Sequence, residues 1–123
     1  MFTQTRRLPK FENDLKKLLK KYRSLDEDIK NFEDTALKMY HNLNNKHDGI
    51  VRISNLGIVT PEIYKAKSFA CKALKGRGKQ SGIRIIYAYC ESSSSIDYIE
   101  IYHKNEKENE DRDRILQQYN KLE

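Results

Sequence analysis

Residues 75–89 read KGRGKQSGIRIIYAY, and this stretch decides the fold because a cationic, glycine-rich loop runs directly into an apolar segment. Ile83, Ile85, Tyr87 and Tyr89 alternate with their neighbours, a period of two that is typical of a strand with one buried face. Arg84 has the opposite parity. The stretch therefore predicts a strand that packs against a core on one face and presents an arginine on the other.

Other segments have the same strand-like composition. Residues 50–54, 62–70 and 95–103 are rich in β-branched and aromatic side chains and are bounded by Gly, Pro or Ser. The short polar loop ESSSS joins the last of them to the strand at 82–90, which predicts an antiparallel pair. FTQTRR at residues 2–7 predicts one further short strand.

Three helices are predicted. The first begins at Pro9, a residue favoured in the first helical turn, and its apolar residues follow at helical spacing: Phe11, Leu15, Leu18, Leu19 and Tyr22. Ser24 and Glu27 match a capping box, in which each side chain satisfies a free backbone donor, so a second helix is predicted to begin there. Its expected apolar stripe is Leu25, Ile29, Phe32, Ala36, Tyr40 and Leu43.

Turn-forming residues between Asn44 and Gly49 are expected to end the second helix. The charged tail from Glu106 to Leu122 predicts a third helix, with three apolar anchors: Ile115, Leu116 and Tyr119. The order β-α-α-β-β-β-β-α predicts a small α+β fold, an antiparallel sheet with helices packed on one face. A chain of 123 residues supports one core, so we expect a single domain over residues 1–123.

Positive charge is concentrated in the middle of the chain. The net charge is +6, and residues 61–90 contain seven Lys or Arg side chains with Glu62 as the only acid. Such a basic segment attracts polyanions such as nucleic acid or an anionic membrane surface. The competing interpretation is a lysine-rich surface that serves only solubility.

Several functional classes are disfavoured. No apolar run approaches the roughly 20 residues of a membrane span, and the first residues lack the apolar stretch of a secretory signal, so we expect a cytoplasmic protein. The two cysteines form no CxxC motif and no histidine stands at ligand spacing, so no zinc or other metal site is predicted.

The strand cations are predicted to share one surface. Side chains alternate along a strand, so Lys65 and Lys67 are expected on one face about 7 Å apart. Arg84 on the next strand can join them, and on the last strand Ile99 and Ile101 are expected in the core. The glycines of GRGKQSG allow backbone and cations to approach a phosphate chain closely. The alternative for this loop is an ordinary mobile hairpin.

Three motifs within residues 63–107 resemble toxins of the RelE/ParE superfamily from type II toxin–antitoxin systems, especially the HigB-like branch. They are IYKAK, GRGKQSGIRIIYAY and IEIYHKNEK. The matching positions are Lys65 and Lys67, then Gly76 through Tyr87, then Tyr102, Lys104 and Lys107.

The resemblance implies a microbial RNase-like fold and a ribosome-dependent mRNA endonuclease that inhibits translation. The ribose 2′-hydroxyl of the mRNA would attack the adjacent phosphate, leaving a cyclic phosphate and a 5′-hydroxyl. The implied partners are a cognate antitoxin protein, the ribosome and mRNA. No metal and no small-molecule cofactor are implied.

The resemblance also implies roles for individual residues. The implied catalytic residues are Lys65, Lys67, Arg84, His103, Lys104 and Lys107. The implied RNA-binding residues are Arg77, Lys79, Gln80 and Tyr102, the last of which stacks on an mRNA base or simply packs.

One of the two strand lysines would act as the base and the other would stabilise charge. A lysine base needs a pKa well below about 10.4, which crowding by other cations favours. Arg84 would clamp the scissile phosphate, and Lys104 or His103 would be the acid. RelE itself carries an arginine and then a tyrosine after the last strand, where this chain has Asn105 and the acidic run ENED, so the general acid stays unidentified.

Two alternatives remain open at this stage. The chain could be a non-catalytic protein of the RelE/ParE fold that binds a protein target, or a module that binds free nucleic acid with the same cationic surface. Nucleic-acid binding without cleavage would be steeply salt-dependent.

Overall fold

The fold is built on a five-stranded sheet, seen in a computed structural model that describes residues 2–43 and 49–119. The strands are β1 (Gln4–Arg7), β2 (Ile50–Arg52), β3 (Glu62–Ala66), β4 (Ile83–Cys90) and β5 (Ser95–His103). Their order across the sheet is β1-β5-β4-β3-β2. β1 runs parallel to β5, and every other pair is antiparallel. The predicted α+β class and all five predicted strands are confirmed, although β2 and β3 are shorter than expected.

Three α-helices accompany the sheet: α1 (Pro9–Leu19), α2 (Leu25–Phe32) and α3 (Arg112–Tyr119). Pro9 occupies the first turn of α1, as predicted. α2 begins after Ser24 as predicted, but the prediction of a capping box is wrong. The Ser24 hydroxyl donates to the Asp28 carboxylate at 2.6 Å and makes no cap to the helix backbone.

The second helix continues from α2 as a π-helix over Glu33–Asn42. Its hydrogen bonds span five residues, for example from the Leu43 N–H to the Lys38 carbonyl at 3.2 Å. This wider turn moves the apolar stripe, because Leu37 lies five residues after Phe32 and is fully buried. The predicted stripe was therefore wrong at Leu43, whose exposed fraction is 57%. Of the predicted helix-ending turn, residues 44–48 lie outside the described residues.

One face of the sheet packs against α1, α2 and the π-helix. Its apolar cluster contains Ile83, Ile85, Tyr87 and Tyr89 of β4 together with Phe11 and other helical side chains. The alternation along β4 predicted these four sheet residues correctly. Aromatic contacts reinforce the packing, as between Phe11 and Tyr98, whose ring centroids are 5.4 Å apart. We call this side the helix face.

The opposite face of the sheet is also covered, so the prediction of helices on one face only was wrong. Ile63, Ile86 and Ile99 form a second apolar cluster there, and Ile115 of α3 is fully buried among them. Partly buried apolar side chains of the loop after β2 complete the cover: Ile53, Leu56 and Ile58. The physical reason is that β4 carries isoleucine at both parities, Ile85 on one face and Ile86 on the other, and Ile63 of β3 joins Ile86, so both faces need apolar cover.

A β-bulge explains why Ile99 is buried as predicted, but on the opposite face of the sheet from Ile101. The register of β4 with β5 shifts between Ile86 and Tyr87, so Ile86 pairs with Glu100 while Tyr87 pairs with Tyr98. Ile99 is the extra residue, and a bulge of this kind reverses the alternation on one side of it. Tyr98 therefore lies on the helix face, and Ile99 lies in the second cluster.

The third helix is shorter than predicted. α3 spans Arg112–Tyr119, residues 106–111 precede it without helical structure, and the end of the predicted helix lies outside the described residues. The Asp111 carboxylate accepts from the Arg114 N–H at 3.1 Å near the first turn of α3. Arg114 in turn binds the Asp14 carboxylate of α1 at 2.7 Å. α3 is thereby attached to the body of the protein by an ion pair as well as by Ile115.

Candidate functional site

Lys65 and Arg84 lie on the same face of the sheet, the one opposite the helix face. Lys65 stands beside Ile86 across the β3–β4 pair, and Arg84 stands beside Tyr102 across the β4–β5 pair. Ile86 and Tyr102 both belong to the second cluster, which fixes the face. Diagonal neighbours on adjacent strands are about 7 to 8 Å apart, so the two cations can act on one ligand. We call this side the cationic face.

The Arg84 side chain is held in place by backbone. Its guanidinium donates to the carbonyl oxygen of Lys67 at 3.0 Å. Lys67 lies one residue beyond the end of β3, and its own N–H donates to the Gly49 carbonyl at 2.6 Å. The Lys67 side chain is exposed. Arg84 is therefore oriented by the backbone of a neighbouring segment while the remainder of its guanidinium fork stays available.

Lys65 is paired with an acid that sequence reasoning did not place there. Its ammonium donates to the Glu110 carboxylate at 3.1 Å, and only 15% of the Lys65 side chain and 12% of the Glu110 side chain are exposed. Burial alone would lower the pKa of Lys65, but the hydrogen bond and charge of Glu110, together with Tyr102, outweigh burial and raise it. The expectation that crowding lowers the Lys65 pKa toward that of a base was therefore wrong.

Residues 106–111, which we call the acidic strap, hold Glu110 over the cationic face. Glu100 on β5 is almost completely buried, and its carboxylate accepts from the Asp111 N–H at 2.9 Å and from the Lys107 ammonium. Arg112 donates to the carbonyls of Ser54 and Asn55 at 3.0 and 3.1 Å. The acidic strap is thus pinned on both sides of Glu110.

Tyr102 lies beneath the Lys107 ammonium, whose nitrogen is 5.4 Å from the centre of the ring. Only 5% of Tyr102 is exposed, so of the two alternatives left open by the sequence the ring packs in this arrangement. Within the described residues its hydroxyl is buried and makes no hydrogen bond of acceptable geometry. Burial raises the pKa of Tyr102, and the nearby Lys65 charge partly offsets this rise. A groove of about 220 Å³ runs past Tyr102 and Lys107 along α1.

His103 faces away from the cationic cluster, so the structure disagrees with its predicted role as a catalytic acid. The ring is buried and stacks on Tyr22 with centroids 5.9 Å apart. Its Nδ1 accepts from the Asn105 N–H at 3.0 Å. Gly82 has a positive φ of 88°, and a Cβ there would come within 2.8 Å of His103 Nε2. Gly82 is therefore needed for this packing.

The other predicted contact residues lie around the site. Lys104 is exposed just after β5, with its N–H bonded to the Gly82 carbonyl at 2.9 Å. Arg77, Lys79 and Gln80 are exposed in the loop before β4. Lys79 lines a cavity of about 250 Å³ that lies beside α2 and the π-helix. The structure therefore brings together Lys65, Arg84, Tyr102 and Lys107, whereas Lys79 lies toward the helices.

Sequence reasoning missed the two carboxylates of this site, Glu100 and Glu110. A signal was present for Glu110, because the acidic run ENED follows directly after a strand whose neighbours carry lysine and arginine. A charge run beside a cationic sheet can fold back onto it. No comparable signal marked Glu100.

Metal binding and membrane insertion find no support in the described residues. Across residues 2–43 and 49–119 no group of three or more His, Cys, Asp or Glu side chains is arranged to hold a metal ion. None of the helices described in these ranges has the length and apolar character needed to cross a membrane.

Comparison with known proteins identifies a structural relative. No protein-family model and no curated protein matches the sequence. Among solved structures, the chain is similar to one chain of the archaeal RelE–RelB complex from Pyrococcus horikoshii OT3, with a TM-score of 0.50 and 14% identity. The match covers 87% of this chain and 100% of the other. At this identity the likeness shows the fold, which is RelE-like.

Proposed function

We propose that this protein is the toxin of a type II toxin–antitoxin pair, of the HigB-like branch, and that it cleaves mRNA on the ribosome and so inhibits translation. The observation that carries the proposal is the convergence of Lys65, Arg84 and Lys107 from three chain segments around Tyr102. The RelE-like fold and the three sequence motifs support it. A cognate antitoxin, the ribosome and mRNA are the proposed partners, and the cytoplasm is the proposed location.

The reaction would be an internal transfer at one phosphate. The ribose 2′-oxygen forms a bond to phosphorus while the bond from phosphorus to the 5′-oxygen breaks, giving a 2′,3′-cyclic phosphate and a 5′-hydroxyl. The 2′-hydroxyl proton goes to a base, and an acid supplies a proton to the departing 5′-oxygen. Negative charge builds up on the phosphorane between these events, and fixed cations stabilise it.

Arg84 suits the stabilising role best. Its guanidinium is planar, permanently charged and already oriented by the Lys67 carbonyl, so little reorganisation is needed when charge develops. Lys65, with its raised pKa, is assigned to charge stabilisation. Lys67, which is exposed beside Arg84, is then the proposed base. Lys104, which is exposed just after β5, is the proposed acid. Lys107, Arg77, Lys79 and Gln80 are proposed to bind the RNA chain.

The experiment is induction of the protein in bacterial cells, with growth and mRNA 5′ ends measured together. Wild type is expected to arrest growth and to produce cuts within reading frames. Arg84→Ala is expected to lower the cleavage rate by about 10²-fold or more, because it removes a group that stabilises the transition state. Equal cleavage by wild type and Arg84→Ala would contradict the proposal.

Arg6→Ala is the matched control. Arg6 is an arginine of the same sheet that pairs with Asp97 at 2.9 Å. Asp97 stands beside Ala88, four residues along β4 from Arg84, which is about 13 Å. Arg6→Ala removes the same charge and should cleave at the wild-type rate.

A second function is favoured by one observation. Glu110 pairs with Lys65 and Glu100 pairs with Lys107, so two of the cations are neutralised. In a non-catalytic protein of this fold these ion pairs would be permanent. Such a protein would bind a protein target or free nucleic acid. Growth arrest with intact mRNA, or binding of RNA without cleavage, would select this function.

A further inference from the structure

We infer that Glu110 occupies the position of an RNA phosphate at Lys65, so that the acidic strap keeps the site closed until nucleic acid displaces this carboxylate. The inference rests on the proposed function, because it assumes that the cationic face binds RNA phosphates. It adds that the protein itself supplies a competitor for the RNA phosphate, the Glu110 carboxylate.

The contact has the chemistry of an anion site that is already filled. The Glu110 carboxylate accepts from the Lys65 ammonium at 3.1 Å, which is how a phosphate oxygen would bind the same group. With Glu110 in place, only 15% of the Lys65 side chain is exposed. A phosphate can therefore reach Lys65 only after Glu110 has moved.

The anchors of the acidic strap show that Glu110 is presented by the fold. On one side Lys107 binds Glu100, and on the other the Asp111 N–H binds Glu100 and Ile115 is buried in the second cluster. The backbone is thus held at both ends of the contact, while the Glu110 carboxylate is held by the Lys65 and Arg112 cations and by a hydrogen bond to its own backbone.

An alternative position for the displaced carboxylate is close by. Glu110 also approaches the Arg112 guanidinium, at 3.6 Å. The Arg112 side chain is 44% exposed and is held by the carbonyls of Ser54 and Asn55. Rotation of Glu110 toward Arg112 would free Lys65 without unfolding α3, so opening the site requires only a small local movement.

The test compares Glu110→Gln with Glu108→Gln in the full-length protein. Glu108 lies two residues away in the same acidic strap and is exposed, so its variant removes the same charge without touching Lys65. The probe is a short single-stranded RNA whose riboses all carry 2′-O-methyl groups, which prevents cleavage. Affinity is measured over a range of salt concentrations.

Glu110→Gln is expected to bind this RNA about fivefold more tightly at low salt, as for the release of one partly buried ion pair. The slope of log affinity against log salt concentration should steepen by about 0.7, because one more phosphate of the single strand is then neutralised. Glu108→Gln should stay within about twofold of wild type. Adding Lys65→Met should abolish the gain of Glu110→Gln, because the released cation is then absent.

Equal affinities of the Glu110→Gln and Glu108→Gln variants would overturn the inference, since charge alone would explain them. Loss of cleavage of ordinary RNA by Glu110→Gln with unchanged binding would also overturn it, because Glu110 would then take part in the reaction. Tighter binding without cleavage by any form would support the closed site and reject the nuclease. Should Glu110→Gln fail to fold, Glu110→Asp, which draws the charge back by one methylene, should give a smaller gain of the same sign, and no gain would overturn the inference.

Discussion

The two faces of the sheet are stabilised by different interactions. The helix face is closed by apolar and aromatic side chains, with Phe11, Leu25 and Phe69 fully buried. The cationic face combines a smaller apolar cluster with ion pairs, among them those of Lys65 with Glu110 and Lys107 with Glu100. Burying charges costs free energy that apolar residues would not cost. We propose that charges kept at such a cost mark the cationic face as the one that serves function, while the helix face serves stability.

The largest loss of stability is expected from a substitution on the helix face. Phe11→Ala removes a fully buried ring that packs on Tyr98, and should lower the free energy of unfolding by roughly 3 to 5 kcal/mol. Urea denaturation measures this loss. If Phe11→Ala lost less free energy of unfolding than a variant on the cationic face, the division of stability and function between the two faces would be contradicted.

A smaller and more local effect is expected from Ile115→Ala, in the apolar cluster of the cationic face. Ile115 is fully buried, but among the described residues it is the one buried side chain of the short helix α3, so α3 can detach while the sheet stays folded. The expected loss is about 2 kcal/mol, at the lower end for such a truncation. Hydrogen exchange should quicken in α3 and leave β4 and β5 protected. Faster exchange throughout the sheet would show that both faces unfold as one.

A pH-dependent effect on stability is expected from His41, which belongs to the helix face. Burial lowers its pKa to about 4, and its Nε2 lies 2.8 Å from the Tyr87 hydroxyl. Since the folded state disfavours protonation, this contribution is fully present above the unfolded pKa of about 6.5 and is lost as the pH falls toward 4. The loss should be roughly 1 to 2 kcal/mol after allowance for the partial exposure of the ring.

The matched measurement for His41 is the urea midpoint of wild type and His41→Gln at pH 7 and pH 4.5. Subtracting the variant removes the titration of groups common to both proteins. One of these is Glu110, whose pKa is lowered because hydrogen bonding and the Lys65 charge outweigh the opposite effect of burial. Identical pH dependence of the two proteins would contradict the assignment to His41.

Much of the fold could be predicted from local sequence patterns. Periodicity of two identified the strands, and the parity of Arg84 against Ile83 and Ile85 placed it on the face opposite the helix face. The bulge was not predictable, because Ile99 and Ile101 alternate as regularly as a continuous strand would require. The π-helix likewise changes the spacing from Phe32 to Leu37 without any Gly or Pro to mark it.

The candidate site was less predictable because its charges are set by contacts distant in sequence. Lys65 and Glu110 are 45 residues apart, and their pairing reverses the expected direction of the Lys65 pKa. His103 was grouped with the cations because it lies in the motif IEIYHKNEK, but it is the last residue of β5, and neighbours on a strand such as Tyr102 and His103 point to opposite faces. Its stacking on Tyr22 depends on the loop between α1 and α2, which no local pattern connects to β5.

The most direct test of the division between the faces measures stability and RNA cleavage on the same preparation of Arg84→Ala. If the cationic face serves function, the cleavage rate of ribosome-bound mRNA should fall about 10²-fold or more. The free energy of unfolding should change by less than about 1 kcal/mol, since Arg84 loses one hydrogen bond at a partly exposed position. A variant that is clearly destabilised and yet cleaves at the wild-type rate would contradict the account.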